Sequence, residues 1–143
     1  TVQKYLNKIS GPLLDRIDLH VEVTPVAFSE LSATRPQENS ATIREKVIKA
    51  REMQELRYQN HPGVYCNAQM SSKMLKEICV ISSVGANLLK AAMEKLNLSA
   101  RAYDRILKVS RTIADLASSE DIKPEHLAEA IQYRSLDREG WAG

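Results

Sequence analysis

The sequence has few of the residues that would mark a disulfide scaffold, a base-stacking platform or a membrane span. It contains two cysteines, one Trp and one Phe among 143 residues. Two cysteines exclude a disulfide framework and favour a reducing, cytoplasmic setting. No apolar run approaches the roughly 20 residues that a membrane-spanning helix needs. So few large aromatic residues make a platform for stacked nucleic-acid bases unexpected.

Charge and catalytic motifs are equally sparse. Twenty basic and eighteen acidic side chains leave a formal charge of +2, which is too balanced to indicate nucleic-acid binding by charge alone. The chain has no phosphate-binding G-x-x-x-x-G-K-[ST] loop, no G-x-S-x-G, no H-E-x-x-H and no C-x-x-C. His20, His61 and His126 lack metal-ligand spacing, so we predict no metal site. We do not expect this chain to be an enzyme by itself.

The N-terminal part combines the end of a helix, a break and one strand. Residues 2–8 read as a helix that ends at the Ser10-Gly11-Pro12 break, because proline lacks the N–H and glycine tolerates unusual dihedrals. Residues 17–23 alternate apolar and polar side chains, which predicts a half-buried strand. A single strand cannot form a stable sheet. We therefore expect it to be disordered, to fold back on the helices, or to pair with another molecule.

Everything after a polar linker, residues 34–40, reads as helical. Apolar residues recur near the 3.6-residue period, and serines stand where helix N-caps are expected. The predicted helices cover residues 41–58, a short stretch from Ser71 or Ser72 to Val80, a stretch that starts after Ser82 or Ser83, residues 100–117 after Ser99, and residues 124–133.

Two arginines stand where folding alone gives them no obvious role. Arg101 falls in the first turn of its predicted helix, where the helix dipole disfavours a cation. It either meets an anion such as a phosphate, or points into water or pairs with Asp104. Arg16 lies between Asp15 and Asp18, so it either forms a local salt bridge or is presented to a neighbouring subunit. A planar guanidinium suits phosphate oxygens.

Three strings give the chain a resemblance to a known family. ISGPLLDRIDLHVEVTPVAFSEL, CNAQMSSKML and LNLSARAYDRILKVSRTIADLASSEDIKPEHLAEAIQYR resemble, in this order, the magnesium-chelatase-like AAA+ proteins of the ComM/YifB group. The resemblance covers nearly the whole chain. It implies a mainly α fold, in which a helical lid follows a helix and one β-strand from the end of an α/β ATPase core.

The resemblance also implies a domain division. Residues 1–33 would end the core, residues 34–40 would link it to the lid at 41–136, and residues 137–143 would form a C-terminal tail. The family's Lon-protease-like domain and its Walker A and B motifs do not occur in the chain. We therefore expect the sequence to be part of a longer protein.

The resemblance implies roles for both arginines. Arg16, in LLDRID, matches the arginine finger that reaches the nucleotide of an adjacent subunit. Arg101, in LSAR, matches the sensor-2 arginine that contacts the phosphates bound by its own subunit. The implied partners are ATP and Mg²⁺ in the full-length protein, with none held tightly by this part, and copies of the same protein in a hexameric ring.

Two other functions are compatible with the sequence. Competence-linked members of the family act on branched DNA, and the chain could be a stand-alone helical module that binds DNA or protein. Its DNA-binding residues would be Arg101, Arg105, Lys108 and Arg111, although a solvated face is favoured for the last three. The chain could also be part of a chelatase subunit that drives metal insertion, which no residue here supports.

Overall fold

A computed structural model of the protein describes residues 8–32 and 38–134. Within these two ranges the chain forms helices and no sheet, so the prediction of a mainly α fold is confirmed. The helices are α1 (Gly11–Leu14), α2 (Phe28–Leu31), α3 (Ser40–Tyr58), α4 (Ser72–Ile78), α5 (Ser83–Lys95), α6 (Ala100–Leu116) and α7 (Pro124–Gln132), with a 3₁₀ turn at Asn67–Gln69. The helix predicted at 2–8 falls almost wholly outside the described residues.

Side-chain caps set the starts of helices α3, α4, α5 and α6. In each, the oxygen of the N-cap side chain accepts a hydrogen bond from the backbone N–H three residues later, which satisfies a donor that the helix leaves unpaired. The capping residues are Asn39 for α3, Ser71 for α4, Ser82 for α5 and Ser99 for α6. These caps lie where the sequence predicts helix starts, so local chemistry accounts for the helix boundaries.

Helix α6 lies at the centre of the bundle. It packs against α3, α4, α7 and the 3₁₀ turn, and α7 also packs against α5. Ile106 and Ala114 on α6 are completely buried. The rest of the buried apolar core comes from every part of the bundle, namely Tyr58, Met70, Met74, Leu75, Cys79, Leu89, Leu107, Ile122, Leu127 and Ala130. The core therefore fixes the orientation of α6, the helix that carries Arg101.

Helix α6 ends in a tight left-handed turn. Ser118 has φ of 53°, a region that costs an L-residue roughly 1–2 kcal/mol. Its N–H donates to the Asp115 carbonyl at 2.9 Å, and the Ser119 N–H donates to the Ala114 carbonyl at 2.8 Å. These two bonds form a Schellman motif, in which glycine is the usual residue at the left-handed position.

Replacing Ser118 by glycine should therefore stabilise the fold. Glycine adopts positive φ without the Cβ clash, although it loses more entropy on folding, so we expect a net gain of about 0.5–1 kcal/mol. Urea unfolding followed by circular dichroism would measure the gain. Asn97, which has φ of 48° at the end of α5, offers a comparison. Asn97→Gly should gain less because asparagine tolerates this region. Equal or lower stability of Ser118→Gly would contradict the expectation.

The prediction of a strand at residues 17–23 is wrong. These residues are extended but form no β-ladder within the described part of the chain. The His20 N–H donates instead to the Tyr133 carbonyl at the end of α7, at 2.7 Å. The four apolar side chains of the pattern are 40 to 87% exposed. Alternation predicts one apolar face, but a strand also needs a neighbouring strand, and no described segment supplies one. The segment folds back on the helices, one of the three expected outcomes.

The predicted division into core, linker, lid and tail stays a prediction. Residues 33–37, most of the predicted linker, and residues 135–143, which include the predicted tail, lie outside the described residues. No helix in the described ranges has both the length and the apolar character to cross a membrane.

Candidate functional site

The first turn of α6 exposes a cation. Ser99 Oγ accepts from the Ala102 N–H at 3.2 Å, which starts the helix two residues before Arg101. The first turn contains no acidic residue, and Arg101 is exposed. Within residues 8–32 and 38–134, no carboxylate lies within ion-pair distance of Arg101, so the alternative pairing with Asp104 does not form. A helix of 17 residues therefore presents its positive end and an unneutralised guanidinium together.

Arg101 lines a groove along one side of α6. Arg105 and Lys108 follow at one-turn intervals and line the same groove, whose volume is about 640 Å³. Leu19 and Tyr133 line it from the N-terminal segment and from the end of α7. The Lys108 Nζ donates to the Ala68 carbonyl at 3.0 Å. The groove thus combines three cationic side chains with apolar and aromatic surface, and the carboxylates of Asp18, Asp104 and Glu129 also line it.

Arg16 is exposed, and its acidic neighbours are engaged elsewhere. Asp18 forms an ion pair with Arg105, and a carboxylate oxygen of Asp15 lies 3.9 Å from Arg134. The local salt bridge considered for Arg16 is therefore not formed in the described residues. Arg16 does not line the groove that contains Arg101. The two predicted arginines thus lie at different places on the surface.

The segment around Arg16 is fastened to the end of α7. Arg134 is 1% exposed, and its guanidinium donates to the carbonyls of Ile17 and Leu14, the latter at 3.4 Å. His20 adds its backbone bond to Tyr133, and its Nε2 donates to the Leu14 carbonyl at 3.2 Å. Sequence reasoning missed Arg134, because its partners lie more than 110 residues earlier in the chain.

The interpretation that places Arg111 on a solvated face is wrong. Arg111 is 4% exposed, and its Nη2 lies 3.2 Å from the carboxylate of Asp115, one turn later. Its guanidinium also donates to the carbonyls of Glu120 and Ser119 at 2.8 and 2.7 Å. Arg111 points into the bundle because its backbone acceptors lie just beyond the end of α6. The basic stripe considered for DNA therefore loses one of its four members.

Asp115 is the centre of a buried polar network. It is completely buried and accepts two hydrogen bonds from Arg57 at 2.6 and 2.8 Å, which join α3 to α6. Asn67 Nδ2 donates to the same carboxylate at 2.9 Å and brings in the 3₁₀ turn. The hydrogen bonds that Arg57 donates to Asp115 raise the pKa of Arg57. Burial raises the pKa of Tyr58 to about 12, and its hydroxyl donates to Asn67 at 2.7 Å.

This network is structural, since its carboxylate is shielded from solvent and its hydrogen-bonding groups face one another. The sequence contained one sign of it. Arg57 falls on the periodic stripe with Ile43, Val47 and Ala50, where a charged residue needs a buried partner. Only the tertiary fold identifies that partner as Asp115.

The histidines are placed separately. His126 Nδ1 accepts from the Lys123 N–H at 3.0 Å and caps α7. The His61 ring packs edge-on against Tyr58 with centroids 6.2 Å apart. His20 holds the segment around Arg16. Across residues 8–32 and 38–134, no three His, Cys, Asp or Glu side chains form a group that could hold a metal ion.

The helical bundle corresponds to a known family. Residues 37–134 match the family model for the C-terminal region of magnesium chelatase subunit ChlI, and residues 1–31 match the model for magnesium chelatase subunit ChlI. The chain belongs to the magnesium chelatase ChlI family.

Its relatives include the ComM and YifB proteins, as the resemblance suggested. The chain is 46% identical to the competence protein ComM of Haemophilus influenzae over 138 residues, 96% of this chain. It is 43% identical to the uncharacterized protein YifB of Escherichia coli over 136 residues, 94% of this chain. An uncharacterized protein of Mycobacterium tuberculosis is 35% identical over 94% of the chain. The chain spans about a quarter, 26%, of the length of each relative.

Proposed function

We propose that the chain is the nucleotide-sensing lid and a subunit-interface segment of an oligomeric AAA+ ATPase. The observation that carries this proposal is the position of Arg101, which is exposed at the N-terminus of α6 beside a groove and has no carboxylate partner among residues 8–32 and 38–134. Helix N-termini bind phosphate through their free N–H groups and dipole. Membership of the ChlI family supports the proposal, because the family resemblance implies an ATPase core next to this lid.

The chemistry of the groove fits a nucleoside triphosphate. Arg101 would contact the γ-phosphate of ATP, with Lys108 adding positive potential about two turns further along, whereas Arg105 is paired with Asp18. Apolar side chains of the same groove, Val109, Ile113 and Leu116, could face the less polar parts of the nucleotide. We assign no Mg²⁺ ligand to this chain. Half of a phosphate site should bind weakly, with a Kd of about 1 mM or higher, which corresponds to roughly 4 kcal/mol or less.

Arg16 would serve a second nucleotide. It lies outside the groove of Arg101 and is exposed, and both acidic neighbours are held by other residues. An exposed guanidinium can neutralise charge that develops on a phosphoryl group in the transition state. We propose that it does so on ATP bound to an adjacent copy of the protein, which makes a ring the working form.

A DNA-binding module has less support from the geometry. Of the four residues considered for DNA contact, Arg111 is buried and Arg105 is paired with Asp18. Only Arg101 and Lys108 remain available for phosphate contacts. Two contacts would give weak binding with a shallow dependence on salt. We therefore place DNA, if it is the substrate, elsewhere in the assembly.

Arg101→Ala should weaken ATP binding in a polypeptide that joins this chain to the family's nucleotide-binding core. Loss of one charge-assisted hydrogen bond, worth about 1.5–3 kcal/mol, should raise the Kd for ATP about tenfold or more. The Kd for ADP should change less, because the proposed contact is to the γ-phosphate. Titration calorimetry with a non-hydrolysable ATP analogue and with ADP would measure both.

Arg51→Ala is the matched control for this test. Arg51 is also an exposed arginine, on α3 and away from the groove, so its removal changes the net charge equally. It should leave both dissociation constants unchanged. If Arg101→Ala binds ATP and ADP like the Arg51→Ala control, Arg101 is not a phosphate contact and the proposal loses its main support.

A further inference from the structure

One short segment carries Arg16 and is fastened to the helices around Arg101. Residues 14–20, the finger segment, contain Arg16 and are held from both sides of it. The buried guanidinium of Arg134 donates to the carbonyl of Leu14, two residues before Arg16, and to that of Ile17, one residue after it. His20 adds a backbone bond to Tyr133. The backbone that presents Arg16 is therefore fixed to the end of α7.

A second tether joins the finger segment directly to α6. Asp18, two residues after Arg16, forms an ion pair with Arg105. Arg105 follows Arg101 by four residues, which is about one helical turn. A single turn of α6 thus carries both the proposed phosphate contact and the tether to the finger segment. Because both side chains of this ion pair are partly exposed, the pair adds little stability by itself. It gives the finger segment a contact with α6 in addition to its bonds with the end of α7.

We propose that Arg105 and Arg134 are positioning residues that make the finger segment and α6 move as one body. A displacement of α6, caused by nucleotide at Arg101, would then displace Arg16 at the neighbouring subunit. The inference rests on the proposed function, since it takes Arg16 and Arg101 to contact different nucleotides. It adds a physical route by which the nucleotide state of one copy sets the activity of the next.

The chemistry of each tether suits a rigid connection. A guanidinium is planar and donates several N–H groups in a fixed fork, so two carbonyls bound to it are held in a fixed relation. Both carbonyls belong to the backbone on either side of Arg16, so holding them fixes the position of Arg16. Breaking these bonds leaves buried polar groups unpaired, which is costly. The finger segment therefore has little freedom to move without α7, which packs along α6.

The first test needs no nucleotide. The His20 amide donates to Tyr133, so its hydrogen-exchange rate in the chain, measured by NMR, reports whether the finger segment is docked. We expect Arg105→Asp and Arg134→Gln to speed this exchange several-fold to tenfold. The amide of Ala114, buried in the middle of α6, should stay protected. Lys108→Ala, one turn after Arg105, is the control that should change neither amide.

Charge exchange makes this test independent of folding defects. Asp18→Arg combined with Arg105→Asp restores an ion pair of opposite direction, so the His20 amide should regain its protection. If Arg134→Gln fails to fold, Arg105→Asp and the exchanged pair still decide the question. An unchanged His20 exchange rate in Arg105→Asp, with Ala114 protected, would overturn the inference, as would failure of the exchanged pair to restore protection.

The second test measures the consequence for turnover in the polypeptide that includes the nucleotide-binding core. A misplacement of about 1 Å can cost on the order of 100-fold in rate, so Arg105→Asp should lower kcat about tenfold while KM stays unchanged. The exchanged pair should recover most of the loss, which would show that the ion pair between positions 18 and 105, and not either side chain alone, sets kcat. Arg44→Asp, an exposed position on α3, is the control and should keep its kcat.

The variants separate failure of this inference from failure of the proposed function. If Arg16→Ala itself leaves ATP turnover unchanged, the proposed function is wrong whatever Arg105 does. If Arg16→Ala abolishes turnover while Arg105→Asp leaves kcat unchanged, the finger acts without the tether and only the inference is overturned. Loss in both variants, with rescue by the exchanged pair, supports both.

Discussion

Arg16→Ala should lower ATP turnover by roughly 10³-fold in a polypeptide that joins this chain to the family's nucleotide-binding core. Arginine fingers supplied in trans are worth about 10³ to 10⁵ in rate, because they neutralise charge that develops in the transition state. Arg16 is exposed and its two acidic neighbours pair with Arg105 and Arg134. Its removal should therefore affect catalysis without loosening the fold. Steady-state phosphate release would measure the loss.

Mixing two variants tests whether Arg16 acts on a neighbour. One variant carries Arg16→Ala and the other lacks the Walker A lysine of the core, so each should be nearly inactive alone. In mixed rings, an intact Arg16 from the second variant can face an intact nucleotide site on the first, and turnover should return. If mixed oligomers form but turnover does not return, Arg16 acts within its own subunit or has no catalytic role.

Conservative variants sharpen the same test. Arg16→Lys keeps the charge but lacks the planar fork that matches phosphate oxygens, so it should recover only a small part of the turnover. The affinity of each subunit for ATP should be unchanged in both Arg16 variants, because Arg16 lies outside the groove of Arg101. A large loss of ATP affinity in Arg16→Ala would contradict the assignment of the two arginines to different nucleotides.

Local chemistry made the helices and the odd position of Arg101 predictable. The start of α6 follows from Ser99, whose hydroxyl caps the helix, and its buried face follows from the period of residues such as Ile106 and Ala102. Arg101 is unusual within one helical turn of sequence, so no tertiary knowledge was needed to notice it. Its role, by contrast, comes from the family resemblance and remains a proposal.

Long-range partners account for what the sequence could not predict. Asp115 and Arg111 lie on α6 with the spacing of an ordinary surface pair, and nothing nearby indicates that Arg57, 58 residues earlier, reaches Asp115. The role of Arg134 likewise depends on distant partners, the carbonyls of Leu14 and Ile17. The same limit explains the wrong strand, because alternation along a segment says which face is apolar but does not say what covers it.

Asp115→Ala should cost about 3–5 kcal/mol of unfolding free energy, the effect of breaking a buried ion pair by removing one partner. Asp115 is completely buried, and the substitution would strand the guanidinium of Arg57 and remove one partner of Arg111. Asn67 would lose its bond to the same carboxylate. Urea unfolding followed by circular dichroism would measure the loss.

The network also predicts where the damage appears. The first half of α3 is exposed, and only Ala50, Gln54 and Tyr58 of that helix are buried, so the Arg57–Asp115 pair is a main fastening of α3 to α6. Hydrogen exchange of the Tyr58 amide should accelerate more in Asp115→Ala than exchange of the Ala130 amide on α7. This order would show that α3 detaches first.

A double-mutant cycle separates the pair from its surroundings. Asp104→Ala, another acidic residue on α6, pairs with no cation in the described part of the chain and should cost less than about 1 kcal/mol. Arg57→Ala combined with Asp115→Ala should cost less than the sum of the two single variants by about 0.5–3 kcal/mol, since the second change removes a charge that the first left unpaired. If Asp115→Ala costs no more than Asp104→Ala, the buried carboxylate does not hold α3 in place. The orientation of α6, and with it the position of Arg101, would then rest on the apolar core alone.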